Sequence, residues 1–206
     1  VATLGLTYDL GPGVVLTNRT RASRTENDYI VSAPERPDIS DPDPANWTLT
    51  ASPKSRYQVN EVASNTTELS FGFDTGGVRH SMVAGLGYSR ENISQQGYLG
   101  LASEVGGGTA TERLAGCEVA IFNPDVSGCP SPTPVRNPNA VLTEVVTKSL
   151  YVNDTMQFNP KWQLNLGARI DDYDISRSGI SRDGSAYSYA RDDTMFNWNA
   201  GVVWKP

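Results

Sequence analysis

The chain has 206 residues, with 17 Lys and Arg against 23 Asp and Glu and a formal net charge of -6. This acidic balance lacks the clustered cations that a phosphate backbone demands, which argues against a nucleic-acid partner. Mean hydropathy is -0.39, and no run nears the roughly 18–20 apolar residues of a membrane helix; a barrel is still allowed, because its strands alternate and look polar on average.

Seven strands are predicted in chain order: Val1–Leu10, Val14–Tyr29, Gln58–Phe73, Val78–Glu91, Thr147–Phe158, Trp162–Ile175 and Thr194–Trp204. The sign is period-2 alternation, which puts successive side chains on opposite faces. It is clearest from Trp162 to Ile170, where Trp162, Leu164, Leu166, Ala168 and Ile170 oppose Gln163, Asn165, Gly167 and Arg169. Phe196, Trp198, Ala200, Val202 and Trp204 repeat the pattern against Asn197, Asn199 and Gly201. Val78, Met82, Ala84, Leu86 and Tyr88 form another such row, interrupted by His80. Asp154, in register with Leu150, Val152, Met156 and Phe158, is a second interruption; a periplasmic interface or a bulge would accommodate it. The outer half of the third strand, from Val59 to Thr67, is weakly apolar and is expected to project beyond a membrane.

The connections alternate strictly in length. Gly11–Gly13, Asp74–Gly77 and Asn159–Lys161 are short; Ile30–Tyr57, Asn92–Val146 and Ser176–Asp193 are long and polar. A transmembrane barrel sorts its connections this way, with tight turns on the periplasmic side and long loops outside. Long structureless loops count against a compact soluble domain. The chain opens and closes in strand-like sequence with no signal peptide, as an internal piece of a longer polypeptide would.

Cys117 and Cys129 lie in a Gly- and Pro-rich stretch that cannot bury free thiols. A disulfide closing a small loop is favoured over two unrelated thiols; it implies an oxidising compartment and contributes on the order of 3 kcal/mol. No metal site emerges, since the single histidine, His80, lies in a distant strand. Asp171, Asp172 and Asp174 fit no Ca²⁺ loop, and Gly106–Gly108 lacks the Lys-Ser/Thr of a phosphate loop. No nucleophile has a base beside it, so an enzyme is the least favoured class. Trp162, Trp198 and Trp204 suit an aromatic girdle.

Ser149–Thr155 followed by Lys161–Asp171 resembles the "YxxD…W…LxxGxRxD" hairpin of TonB-dependent receptors, and Phe196–Pro206 resembles their "FxWRxGxVYKP" strand and turn. Leu16–Arg21 with Asn27–Tyr29, and Phe73–His80, are similar to the catecholate subgroup. The resemblance covers most of the chain outside the long loops. It implies an all-β fold, an antiparallel meander of about seven strands taken from a transmembrane barrel of about 22 strands. The plug domain, the TonB-contacting box and the terminal aromatic strand of the family are not in this sequence. It further implies TonB-energised import of ferric siderophores across the outer membrane, with no resident cofactor, and with outer-membrane lipid, the siderophore and, through the plug, TonB as partners.

A ferric catecholate is anionic and aromatic, so Arg can pair with its charge and stack on its rings, while Tyr and Trp offer flat surface with a polar tip. Candidate ligand-binding residues are Arg36, Trp47, Arg56 and Tyr57 in the first long loop and Arg177, Arg182, Tyr187, Tyr189 and Arg191 in the third. The competing reading of each is an ordinary solvated residue. Two other classes stand beside the receptor: a passive porin-type barrel and a secreted, soluble β-rich binding domain.

Overall fold

Alternation over so many segments demands a sheet with one apolar and one polar face, and a computed structural model has that arrangement. It describes residues 1–99, 117–127, 129, 133–181 and 183–206. The long strands are β1 (Ala2–Gly11), β2 (Val14–Asp38), β3 (Thr48–Thr75), β4 (Val78–Gln96), β8 (Val141–Gln157), β9 (Trp162–Ile180) and β10 (Ala186–Trp204). Short strands β5 (Tyr98–Leu99), β6 (Cys117–Ala120) and β7 (Val135–Arg136) lie between β4 and β8, and a single 3-10 turn covers Pro44–Asn46. The long strands form an antiparallel meander in the order β1-β2-β3-β4-β8-β9-β10.

Register fixes the faces. One cross-strand row runs Asn18–Thr67–Leu86–Leu150–Ile170–Phe196, and another runs Leu16–Leu69–Ala84–Val152–Ala168–Trp198. These side chains share one side of the sheet, and the large apolar ones stand exposed: Leu86 is 59% accessible, Phe196 66% and Trp198 72%. The rows between them carry Thr17, Glu68, Gly85, Tyr151, Arg169 and Asn197. Among the described residues only Val119 and Val141 are buried hydrophobics. A soluble β-sandwich joins two apolar faces into a shared core; here, among the described residues, no second sheet covers the apolar face, and the secreted-domain reading loses its physical basis.

Three tight turns join β1 to β2, β3 to β4 and β8 to β9, all at one rim. Gly13, Gly76 and Gly77 adopt φ of 74°, 57° and 90°, which suits glycine there. In the third turn the Asn159 side chain accepts hydrogen bonds from the Lys161 and Trp162 amides, at 2.9 and 3.0 Å.

The opposite rim differs from expectation. Ile30–Tyr57 is largely paired strand, from Ile30 opposite Ser55 to Asp38 opposite Thr48. Ser176–Asp193 is likewise a hairpin, paired out to Ile180 and Ala186. These extensions are polar on both faces, so the alternation that reveals a strand is missing although backbone pairing continues. At 28 residues, β3 would reach roughly 90 Å if fully extended, far beyond the roughly 9–11 residues needed to cross a bilayer. Where β4 ends, β6 takes its place against the outer end of β3, from Thr48 opposite Ala120 to Ala51 opposite Cys117. The Cys117–Cys129 disulfide, with Cα atoms 5.4 Å apart, closes the segment that β6 begins.

The two interruptions of the apolar face turn out to be partners. His80 Nδ1 lies 2.7 Å from Asp154 Oδ2, with the side chains 13% and 12% exposed. The register of β8 runs unbroken through Asp154, so no bulge turns it aside; it stays on the apolar face near the tight-turn rim. The Phe73 ring stacks on the imidazole with centroids 4.5 Å apart. Higher on the face, Asn18, Thr20, Asn65 and Thr67 form a closed set. Asn18 Nδ2 donates to Asn65 Oδ1 and Thr67 Oγ1, and Asn65 Nδ2 donates back to Asn18 Oδ1 and Thr20 Oγ1, at 2.7–3.1 Å. A polar group that finds its partners sideways need not find them in its surroundings. Of the tryptophans, Trp162 and Trp204 meet at the rim with ring centroids 6.2 Å apart, whereas Trp198 sits opposite Ala168 on the apolar face, farther from that rim.

Replacing His80 by Leu leaves the Asp154 carboxylate alone on the apolar face, with its Oδ1 already buried and unpartnered among the described residues. The expected loss is about 3–5 kcal/mol, seen as a lower Tm of the detergent-solubilised full polypeptide. His80→Leu/Asp154→Leu should recover most of it. Equal melting of His80→Leu and the parent protein would show that the pair contributes nothing.

Candidate ligand-binding face

The polar face divides into a wall beside the tight-turn half and an upper zone at the loop rim. On the wall, Gly85 of β4 is directly opposite Tyr151 of β8. A Cβ on Gly85 would collide with the Tyr151 ring, so the missing side chain is what lets the ring lie across β4. The phenol thereby reaches β3, where it donates to Glu68 Oε1 at 2.6 Å. On the other flank of Tyr151, Arg169 places its guanidinium 5.5 Å from the ring centroid. Arg169 Nε donates to both oxygens of the buried Asp171, at 3.0 and 2.8 Å, and Ser149 Oγ donates to the same carboxylate at 2.6 Å. Glu68, Tyr151, Ser149, Arg169 and Asp171 thus bind three strands into one polar lattice. The alternation marks Arg169 as polar-facing; it does not reveal that these residues join.

At the loop rim, the third candidate group converges. Tyr189 of β10 is directly opposite Arg177 of β9, Tyr187 opposite Gly179, and Arg191 opposite Ile175. All belong to the odd-numbered rows of β9 and β10 that carry Arg169 and Asn197, so they stand on the polar face. The Tyr187 and Tyr189 rings lie 5.3 Å apart and tilted by 30°. Gly179 repeats the device seen at Gly85: a Cβ there would sit 2.7 Å from the Tyr187 hydroxyl. Tyr189 is 67% exposed. Arg191 Nη2 contacts Asp193 at 3.2 Å, and Arg177 has no ion-pair partner among the described residues. Arg182 lies outside the described residues.

The first candidate group does not converge. Arg56, opposite Tyr29, is on the polar face, and beside it Lys54 binds Glu35 at 2.8 Å. That lysine, followed by Ser52, holds the Glu35 carboxyl below its usual range. Tyr57 is the next residue in the strand and points the other way. The Arg136 guanidinium lies 3.4 Å from its ring centroid and 3.6 Å from Asp28. Tyr98 donates to the same aspartate at 2.7 Å, and that bond, with burial, raises the Tyr98 hydroxyl above the ordinary phenol range. Tyr57 therefore belongs to a clamp that fastens the β5–β7 ribbon to the outside of the sheet. Trp47 is similarly engaged: its indole donates to the Asp41 carbonyl at 2.7 Å, and its ring meets Phe122 at 6.2 Å. Arg36 sits in the irregularity near the end of β2 with φ of 48°, and its side chain is exposed. Among the described residues no His, Cys, Asp and Glu cluster could hold a metal ion.

The model of the family described as TonB dependent receptor-like, beta-barrel matches residues 1–206. The chain is 32% identical over 213 residues to the probable TonB-dependent receptor BfrD of Bordetella pertussis, covering 100% of this chain and 28% of that protein. It is 24% identical over 226 residues to the catecholate siderophore receptor Fiu of Escherichia coli K12, covering 98% and 28%. Among solved structures, the siderophore receptor PiuA of Acinetobacter baumannii aligns with a TM-score of 0.80 at 20% identity, over 99% of this chain and 29% of that one. The closed form of Fiu aligns at 0.78 and 22% identity, over 98% and 30%. The chain spans less than a third of the length of these relatives.

The glycine devices are open to test. Gly85→Ala should displace Tyr151 from Glu68 and cost about 1–3 kcal/mol through overpacking. Gly85→Ala/Tyr151→Ala should regain stability relative to Gly85→Ala alone. A double-mutant cycle in Tm with no coupling between the two positions would contradict the contact.

Proposed function

Because the chain belongs to the TonB-dependent receptor β-barrel family, whose members reside in the bacterial outer membrane, we propose that it forms part of the wall and the outer loops of a receptor that imports ferric siderophores with energy relayed by TonB. Further strands close the sheet, since lipid tolerates no open edge, and a plug domain fills the lumen. The apolar face is then the lipid face, the polar face the lumen, and the tight turns periplasmic.

The observation that carries the reading is the cluster on the polar face of β9 and β10. Arg177 and Tyr189 face each other across the strands, with Tyr187 and Arg191 beside them. A cation with no carboxylate partner among the described residues, next to the exposed Tyr189 and the half-buried Tyr187, suits a ligand that is both anionic and aromatic. The similarity to Fiu, a catecholate siderophore receptor, supports the same ligand class. Arg56, on β3, joins the lining of the same polar face, whereas Tyr57 is occupied by Arg136. No bond of the cargo is made or broken; the residues bind, and the plug's rearrangement moves the ligand.

Binding of a ferric tris-catecholate to the full-length receptor, followed by tryptophan quenching, tests this. Arg177→Ala/Tyr189→Ala should weaken affinity at least tenfold, and Tyr57→Ala, which faces away, should leave it within twofold. Equal affinity in parent and double variant would overturn the assignment of this cluster.

A further inference from the structure

Near the loop rim the polar face carries a strip that is not polar. Glu91 of β4 is directly opposite Val145 of β8, Val145 is opposite Ile175 of β9, and Ile175 is opposite Arg191 of β10. One row farther out come Ile93, Thr143, Arg177 and Tyr189. Side chains alternate along a strand, and in β8, β9 and β10 these are the odd-numbered positions that also hold Tyr151, Arg169 and Asn197. Val145 and Ile175 therefore share the face of the arginine and tyrosine cluster and lie at its level.

The strip separates two opposite charges. On this face the neighbours of Glu91, across and along the strands, are Val62, Val145, Ser89 and Ile93, none of them charged. Its carboxylate has no hydrogen-bond or ion-pair partner among the described residues. On the far side of Val145 and Ile175 stands Arg177, a cation equally without an ion-pair partner there. The strand order is β4-β8-β9, so two interstrand steps, about 10 Å in all, part the strand of Glu91 from that of Arg177.

Glu91, Val145 and Ile175 are all half-buried. A carboxylate framed by aliphatic side chains gives up hydration and regains it best from a cation brought to it. It also repels the anionic rings that Arg177 attracts, so the two ends of the strip sort the two ends of a ligand. The apolar ground continues to the phenols: a Cβ on Gly179 would sit 3.1 Å from Val141 Cγ2 as well as against the Tyr187 hydroxyl.

We propose that the cargo is a ferric catecholate whose chelating arms are joined by an alkylammonium backbone, an inference that rests on the siderophore reading of the cluster. The iron-bound rings meet Arg177, Tyr187 and Tyr189. The methylene chain lies over Ile175 and Val145, and the protonated amine donates to Glu91. Arg177 and the tyrosines recognise the iron-bound head, and Glu91 with the strip selects the backbone that carries it.

Two probes test it on the full-length receptor by tryptophan quenching: a ferric tris-catecholate on a polyamine backbone with a free ammonium, and the same chelate with that amine acetylated. The parent protein should bind the ammonium chelate at least tenfold more tightly. Glu91→Gln should abolish the preference by lowering affinity for the ammonium chelate to that for the acetylated one. Val145→Ser/Ile175→Ser should weaken both chelates at least fivefold, and Arg177→Ala/Tyr189→Ala should weaken both at least tenfold. No preference in the parent protein, or an equal loss of both chelates in Glu91→Gln as expected if the carboxylate packs against the plug, overturns this inference and leaves the cluster standing. Undiminished binding of both chelates in Arg177→Ala/Tyr189→Ala overturns the cluster and this inference together.

Discussion

Backbone pairing and side-chain placement make opposite demands on this chain, and the contrast shapes everything else. The long strands satisfy their backbone groups with one another, yet the large apolar side chains from Leu4 to Trp204 line one face and stand exposed among the described residues. In water such a face would drive aggregation. In a bilayer the same face is the solvated one, and the burden falls on polar groups instead. That reversal explains the two devices on the lipid side: His80 hydrogen-bonded to Asp154, and the Asn18–Asn65 pair exchanging hydrogen bonds with Thr20 and Thr67.

On the polar face the same reversal lets the wall be built from hydrogen bonds. Glycines at 85 and 179 let tyrosine rings lie flat across neighbouring strands, and the phenol of Tyr151 then ties β8 to Glu68 on β3. Rigidity of this kind positions Arg177, Tyr187, Tyr189 and Arg191 on paired strands rather than on free loops, and pre-organised groups lose less freedom on binding a ligand. The disulfide and the Tyr57–Arg136 clamp fasten the long connection outside the sheet.

Much of this was legible in the sequence where environment imposes a period. Wherever lipid lies on one side and water on the other, residues alternate, and the meander, the turn rim and the lumen-facing Arg169 follow. Beyond the bilayer both faces meet water, the period vanishes, and strands such as Ile30–Asp38 read as loop. Cross-strand partners were illegible for another reason. His80 and Asp154 are 74 residues apart, and only register reveals that each answers the other. The chemistry of Tyr57 suits a ligand, but its parity places it on the opposite face from Arg56, its neighbour in sequence.

The most direct measurement is of which side chains touch lipid. Nitroxide labels placed one at a time at Leu86, Gly87, Leu150, Tyr151, Phe196 and Asn197 of the full-length receptor in bilayers report accessibility to oxygen, which concentrates in lipid, and to a water-soluble nickel chelate. Labels at 86, 150 and 196 should favour oxygen, and those at 87, 151 and 197 should not. Equal nickel accessibility at both members of each pair would contradict a membrane-spanning wall.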